Sequence, residues 1–147
     1  MRVLVDTNVV IDYISNRDPY AEDAYRIFEL CVNKTITGCV AAHTIINLFY
    51  ILRKELSVGE RKSTIKKICR VFTVVGIDMA KITSALDNDS FSDFEDCLQS
   101  ECAKEFNTEC IITRNIKDYV GSNIRAVEPK EFLAERSILE GAQIDTI

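Results

Sequence analysis

Four aspartates and their polar neighbours carry the chemistry open to this chain. Asp6 directly follows the aliphatic run Arg2–Val5, Asp93 and Asp96 sit in Ser92-Asp-Phe-Glu-Asp96, and Asp118 lies just past Cys110-Ile-Ile-Thr113-Arg-Asn115. The three stretches are far apart in sequence, yet each puts an acid, amide or hydroxyl at a strand tip or in the first turn of a helix. Carboxylates grouped without His or Cys suit a hard cation, Mg²⁺ or Mn²⁺, which prefers oxygen ligands. Such an ion lowers the pKa of bound water and clamps phosphodiester oxygens, so these residue types point to metal-assisted phosphodiester hydrolysis. A Ser–His–Asp or thiol mechanism has little support. The chain has one His, His43, and its six cysteines form no CxxC pair, which also argues against zinc.

These residues need elements to position them. Arg2–Val5 has the aliphatic pattern of a strand buried on both faces, and Asp6-Thr7-Asn8 both stop a strand and cap a helix. In open α/β sheets ligands sit at the carboxyl ends of the strands, so Asp6 is a candidate by position as well as by type. Further strands are predicted over 35–40, 72–75 and 110–113, with a last short one over 124–127. Helices are predicted over 9–15, 20–32, 41–55, 57–70 and 78–86. Ser57 with Glu60, and Ser92 with Glu95, are in capping-box register, the second opening a helix through Phe106. Pro129 starts a short terminal helix, and the weak periodicity from Ser137 to Ile147 predicts a tail that is frayed or ordered by a partner. Strands alternating with helices give an α/β sandwich around a central, mostly parallel sheet of four to five strands.

At 147 residues the chain is expected to form one domain, and its net charge of −5 supplies no global basic field to attract nucleic acid. That argues against a passive nucleic-acid-binding module but not against a nuclease, because bound cations invert the local charge. Arg53, Lys54, Arg61, Lys62, Lys66, Lys67 and Arg70 read first as a solvated helical face and only second as a local surface for an RNA backbone. The start has no signal-peptide pattern and no apolar run reaches membrane-spanning length. A reduced, cytoplasmic protein with no membrane partner is expected.

Val5-Asp6-Thr-Asn8-Val-Val-Ile-Asp12, Asp93-Phe-Glu-Asp96-Cys-Leu-Gln and Ile-Ile-Thr113-Arg-Asn115-Ile-Lys-Asp118-Tyr together resemble the PIN-domain family in order and spacing. The likeness spans residues 1 to about 133 and is strongest to small prokaryotic members, many of them VapC-like toxins of toxin–antitoxin pairs. It implies a three-layer α/β/α sandwich over 1–133, with 134–147 as a tail. It also implies a Mg²⁺- or Mn²⁺-dependent ribonuclease acting on single-stranded RNA, a homodimer and an antitoxin partner. Asp6 matches the family's first acid and Asp96 its third, both as metal ligands. Thr113 matches the hydroxyl residue after the last catalytic strand, and Asn115 or Asp118 occupies the fourth acidic region. Asn8 fits the residue that buttresses the first acid. The chain departs from the pattern at the second acid, usually Glu, where Asn47 stands. Asp93, three residues before Asp96 on the same helical face, is placed to compensate as a third ligand.

Simpler roles compete with these. Asp6 could act only as an N-cap, which the two matching acid sites make the weaker reading. Asp93 is balanced between capping and catalysis, and Glu95 reads as structural, completing a capping box. Asp12 reads as a solvated or helix-stabilising acid, and His43 as a cap or surface residue. A second functional reading keeps the fold but loses catalysis through Asn47 and Asn115, leaving an RNA- or protein-binding module. A haloacid-dehalogenase-type phosphatase also begins with a strand-tip Asp, but it uses a second Asp two residues on, where this chain has Asn8.

Overall fold

The computed structural model describes residues 1–144. Five strands, β1 (Arg2–Val5), β2 (Thr37–Ala41), β3 (Thr73–Val75), β4 (Cys110–Ile112) and β5 (Arg125–Val127), form one sheet in the order β3-β2-β1-β4-β5. Every adjacent pair is parallel, so the expected mostly parallel sheet is entirely parallel. The helices are α1 (Thr7–Ile14), α2 (Ala21–Val32), α3 (Ala42–Ile51), α4 (Val58–Val71), α5 (Met79–Leu86), α6 (Phe94–Glu105) and α7 (Pro129–Ile144). Short 3₁₀ turns cover Leu52–Lys54 and Ile116–Tyr119. No helix among the described residues is long and apolar enough to cross a membrane.

Alternation along the strands builds the three layers. In β1, Val3 and Val5 join a core with Val10, Ile27, Leu48 and Phe132, while Leu4 faces a second core with Cys102, Ala103 and Ile111. A parallel sheet covered on both faces needs such continuously apolar strands. Within β2, Gly38 admits the Phe72 ring and Cys31 Sγ, which lie 2.6 and 2.9 Å from where a Cβ would stand. All six cysteines are free, and all but Cys69 are buried, matching their reading as small hydrophobes.

Helix boundaries follow local chemistry. Ser57 caps α4 through the expected box, its Oγ accepting from Glu60 N–H while its own N–H donates to Glu60 Oε2. The second expected box does not form. Asp93, not Ser92, caps α6, and its Oδ1 accepts from the N–H groups of Glu95 and Asp96. An Asp side chain reaches these first-turn donors as well as a Ser hydroxyl does, which moves the cap one residue on and leaves the Glu95 carboxylate free to point elsewhere. The terminal helix is longer than expected: α7 runs unbroken from Pro129 to Ile144, across the anticipated 133/134 boundary. The last residues of the anticipated tail, 145–147, lie outside the described residues.

Candidate active site

The sheet order reverses at β1: the chain moves from β1 out to β3 on one side, then returns to β4 and β5 on the other. Ligands of open parallel sheets bind where the order reverses, outside the carboxyl ends of the strands. The β1 and β4 ends meet there, tied by the Asp6 N–H donating to Ile112 C=O at 3.0 Å.

Asp6 stands at the N-cap position of α1, yet its side chain makes no cap hydrogen bond. It is 5 % exposed and held from three directions. Oδ2 accepts from Thr113 Oγ1 at 2.7 Å and Asn8 Nδ2 at 3.1 Å, and Oδ1 accepts from Gln99 Nε2 at 2.6 Å. Donors on β4's tip, α1 and α6 thus fix one carboxylate without neutralising it. Capping does not explain such an arrangement.

Around Asp6 lies a cleft of about 300 Å³, lined in part by Asp93, Glu95, Asp96, Gln99, Asn115 and Asp118. Among the described lining residues, five are acids and Arg17 is the one Lys or Arg. The crowding is felt at Asp96: partial burial, then the carboxylates of Asp6, Asp93, Asp118 and Glu95, raise its pKa to about 7. Tyr119 OH donates to Asp96 Oδ1 at 3.4 Å, and burial followed by the nearby Asp6 and Asp96 charges pushes the phenol's pKa up.

The structure therefore brings Asp6, Asp93, Asp96, Asn115 and Asp118 to one cleft. Thr113 lies behind it, fully buried against Asp6. Asn47 is not a lining residue; its Nδ2 donates to Glu95 Oε1, and the Glu95 side chain reaches the cleft edge. His43 is neither cap nor surface residue. It is half-buried beside Glu95, with Nε2 3.9 Å from Oε1, and burial holds its pKa below the usual imidazole value despite the acids around it. Asp12 is a further correction: it is 1 % exposed and paired in fork geometry with Arg114, not solvated.

Sequence reasoning missed Gln99 and misassigned Glu95. The signal for both was helical spacing, because Gln99 follows Asp96 by three residues and Glu95 by four, which puts it beside each of them on α6. Tyr119, in a 3₁₀ turn, had no periodic signal.

A divalent ion fits this donor chemistry. The ligands available are oxygens, the negative charge is concentrated, and Gln99 Oε1 is buried without a hydrogen-bond partner. Among the described residues no group of three or more His, Cys, Asp or Glu side chains forms a ready-made metal cage. Mg²⁺ does not need one, since it is held by one or two carboxylates and keeps several waters.

The family model described as PIN domain matches residues 2–117. The chain belongs to the PIN-domain family. No curated protein matches it in sequence. Solved structures share the PIN fold at low identity. VapBC2 from Rickettsia felis, bound to a promoter DNA fragment, has TM-score 0.65 and 17 % identity over 87 % of this chain and 98 % of that one. A toxin–antitoxin complex from Klebsiella pneumoniae gives 0.64 and 23 % over 86 % and 97 %. VapBC-1 from nontypeable Haemophilus influenzae gives 0.63 and 15 % over 88 % and 99 %.

Proposed function

We propose that this PIN domain, residues 1–133 followed by a helical C-terminal segment, is a Mg²⁺- or Mn²⁺-dependent endoribonuclease of the toxin type, cutting single-stranded RNA in the cytoplasm. The observation that carries this reading is the rigidly held, un-neutralised Asp6 facing Asp96 across a cleft at the sheet's reversal point. Asp6 and Asp96 would hold the cation, with Asp93 or Asp118 contributing. Asp93 is the weaker of these two because its Oδ1 already accepts from two backbone N–H groups. A bound divalent cation supplies an acidified water and charge stabilisation at the scissile phosphate.

The chain's own residues set up that chemistry. Thr113 and Asn8 fix the face that Asp6 presents, Arg17 is placed to meet a phosphate oxygen, and Asn115 and Asp118 line the side nearest the 3₁₀ turn. Several of the fold's neighbours are structures of toxin–antitoxin complexes, which supports an antitoxin partner; a homodimer belongs to the same proposal through the family resemblance alone.

The test is cleavage of an end-labelled single-stranded RNA with Mg²⁺ or Mn²⁺, using wild type and Asp6→Asn. Cleavage that needs metal and falls about a hundredfold or more in the variant is expected. Clean wild type that binds RNA without cutting it would instead identify a binding module, the reading that Asn47 and Asn115 favour.

A further inference from the structure

The cleft lacks the acid that α3 supplies in the PIN pattern, yet the charge is not missing from the cleft. Asn47 on α3 donates through Nδ2 to Glu95 Oε1, so the amide at the vacated position holds a carboxylate that comes from α6. Glu95 is free for this because Asp93 has taken over the helix cap. It lines the same cleft as Asp6 and Asp96.

Gln99 points independently to a ligand on the same helical face. It is 2 % exposed, and its Nε2 donates to Asp6 Oδ1 at 2.6 Å. A carboxylate can only accept, so the amide orientation is fixed by Asp6, and turning it over would set oxygen against oxygen. Oε1 is therefore not the atom set against Asp6 Oδ1; it is buried and has no hydrogen-bond partner. An orphaned buried acceptor is destabilising. A cation, or water held by one, would satisfy it.

We propose that α6 supplies the oxygen donors that α3 does not. Glu95 replaces the acid absent at Asn47, directly or through metal-bound water, and Gln99 Oε1 completes the same face toward a divalent cation. Asn47 is then a positioning residue acting through Glu95. This inference rests on the metal-dependent reading of the cleft.

The experiment is calorimetric titration of Mn²⁺ into full-length wild type, Glu95→Gln, Gln99→Met and the swap Asn47→Glu/Glu95→Gln. Glu95→Gln keeps an acceptor for Asn47 at an exposed position, so it removes charge while leaving the fold intact. Its affinity should fall about tenfold or more, as should that of Gln99→Met. The swap returns the carboxylate to α3 and keeps an amide partner on α6, so it should recover to within about threefold of wild type, a rescue no merely structural role of Glu95 predicts. Wild-type affinity in Glu95→Gln overturns the inference and leaves the nuclease reading standing. A swap as weak as Glu95→Gln, with circular dichroism showing both folded, also overturns it. If wild type itself takes up no Mn²⁺, the metal-dependent function fails first and this inference with it.

Discussion

The Thr113 hydroxyl donates to Asp6 Oδ2 at 2.7 Å, joining the tips of the two central strands where the sheet order reverses. Thr113 Oγ1 itself accepts from the Asn115 N–H at 3.0 Å and from Asn8 Nδ2 at 3.3 Å, so its full hydrogen-bonding capacity is used at a fully buried site. Thr113→Val keeps the shape but removes all three bonds, leaving the Asn115 N–H without this acceptor while Asn8 Nδ2 and Asp6 Oδ2 keep each other. The expected loss is about 1–3 kcal/mol in urea unfolding at pH 7.5, with weaker Mn²⁺ binding. A loss below about 0.5 kcal/mol would show that the hydroxyl is not holding the strand tips together.

Asp12 and Arg114 predict a separate weakness. Arg114 Nε donates to Asp12 Oδ2 at 2.6 Å and its Nη2 to Oδ1 at 3.2 Å, while the guanidinium carbon lies 4.1 Å from the centre of the Tyr20 ring. The Asp12 side chain is 2 % exposed and that of Arg114 25 %. Asp12→Asn leaves a cation packed on an aromatic face with no counter-charge. Breaking a buried pair from one side costs about 3–5 kcal/mol, and Arg114's partial access to water puts this one at the low end. Thermal melting should show a large drop in midpoint; an unchanged midpoint would mean solvent already screens the pair.

These two residues also show how far the sequence could be read. The strands were legible because a sheet buried on both faces needs continuous aliphatic runs, and Arg2–Val5 and Cys110–Ile112 are such runs. Asp6, Asp96 and Thr113 were legible because they follow strands or sit past a helix cap, positions that topology sends to one edge. Asp12 was not: nothing in its neighbours' types distinguishes a buried acid from a solvated one, and its partner is 102 positions away. Glu95 was misassigned because Ser92 and Asp93 both suit a cap, and one residue of shift decides whether Glu95 folds back on the helix or reaches Asn47. The length of α7 was not legible either, since Ile138 and Leu139 are exposed and break the periodicity that marks a packed helix.

Gly38 carries a packing prediction. A Cβ there would lie 2.6 Å from Phe72 Cδ1 and 2.9 Å from Cys31 Sγ, both within the core beneath β2. Phe72 also meets the Phe28 ring edge-on, with centroids 4.9 Å apart, so it cannot tilt away without disturbing a second ring. Gly38→Ala should destabilise by about 1–3 kcal/mol through overpacking, despite alanine's better strand conformational entropy. Gly59→Ala is the control, because nothing beyond its chain neighbours and the backbone of its own helix lies within 4 Å of its Cβ position. Equal denaturation midpoints for the two variants would contradict the close approach.

Asp96 gives a pH dependence whose sign differs from that of a salt-bridged carboxylate. Burial first, and then repulsion from Asp6, Asp93, Asp118 and Glu95, raises its pKa from 3.8 to about 7. The folded protein therefore binds this proton more tightly than the unfolded chain does. Its contribution to stability is fully present below about pH 4 and is lost as pH rises through about 7. With metal removed by EDTA, the melting midpoint of wild type relative to Asp96→Asn should fall between pH 5 and pH 8, because the amide does not titrate. Cation binding runs the other way. It requires the carboxylate, so Mn²⁺ affinity should drop as pH falls below 7, and added Mn²⁺ should raise the midpoint more at pH 8 than at pH 5. Parallel pH curves for wild type and Asp96→Asn would mean that Asp96 is an ordinary ionised surface acid, and the acidic cleft would lose its strongest case for holding a cation.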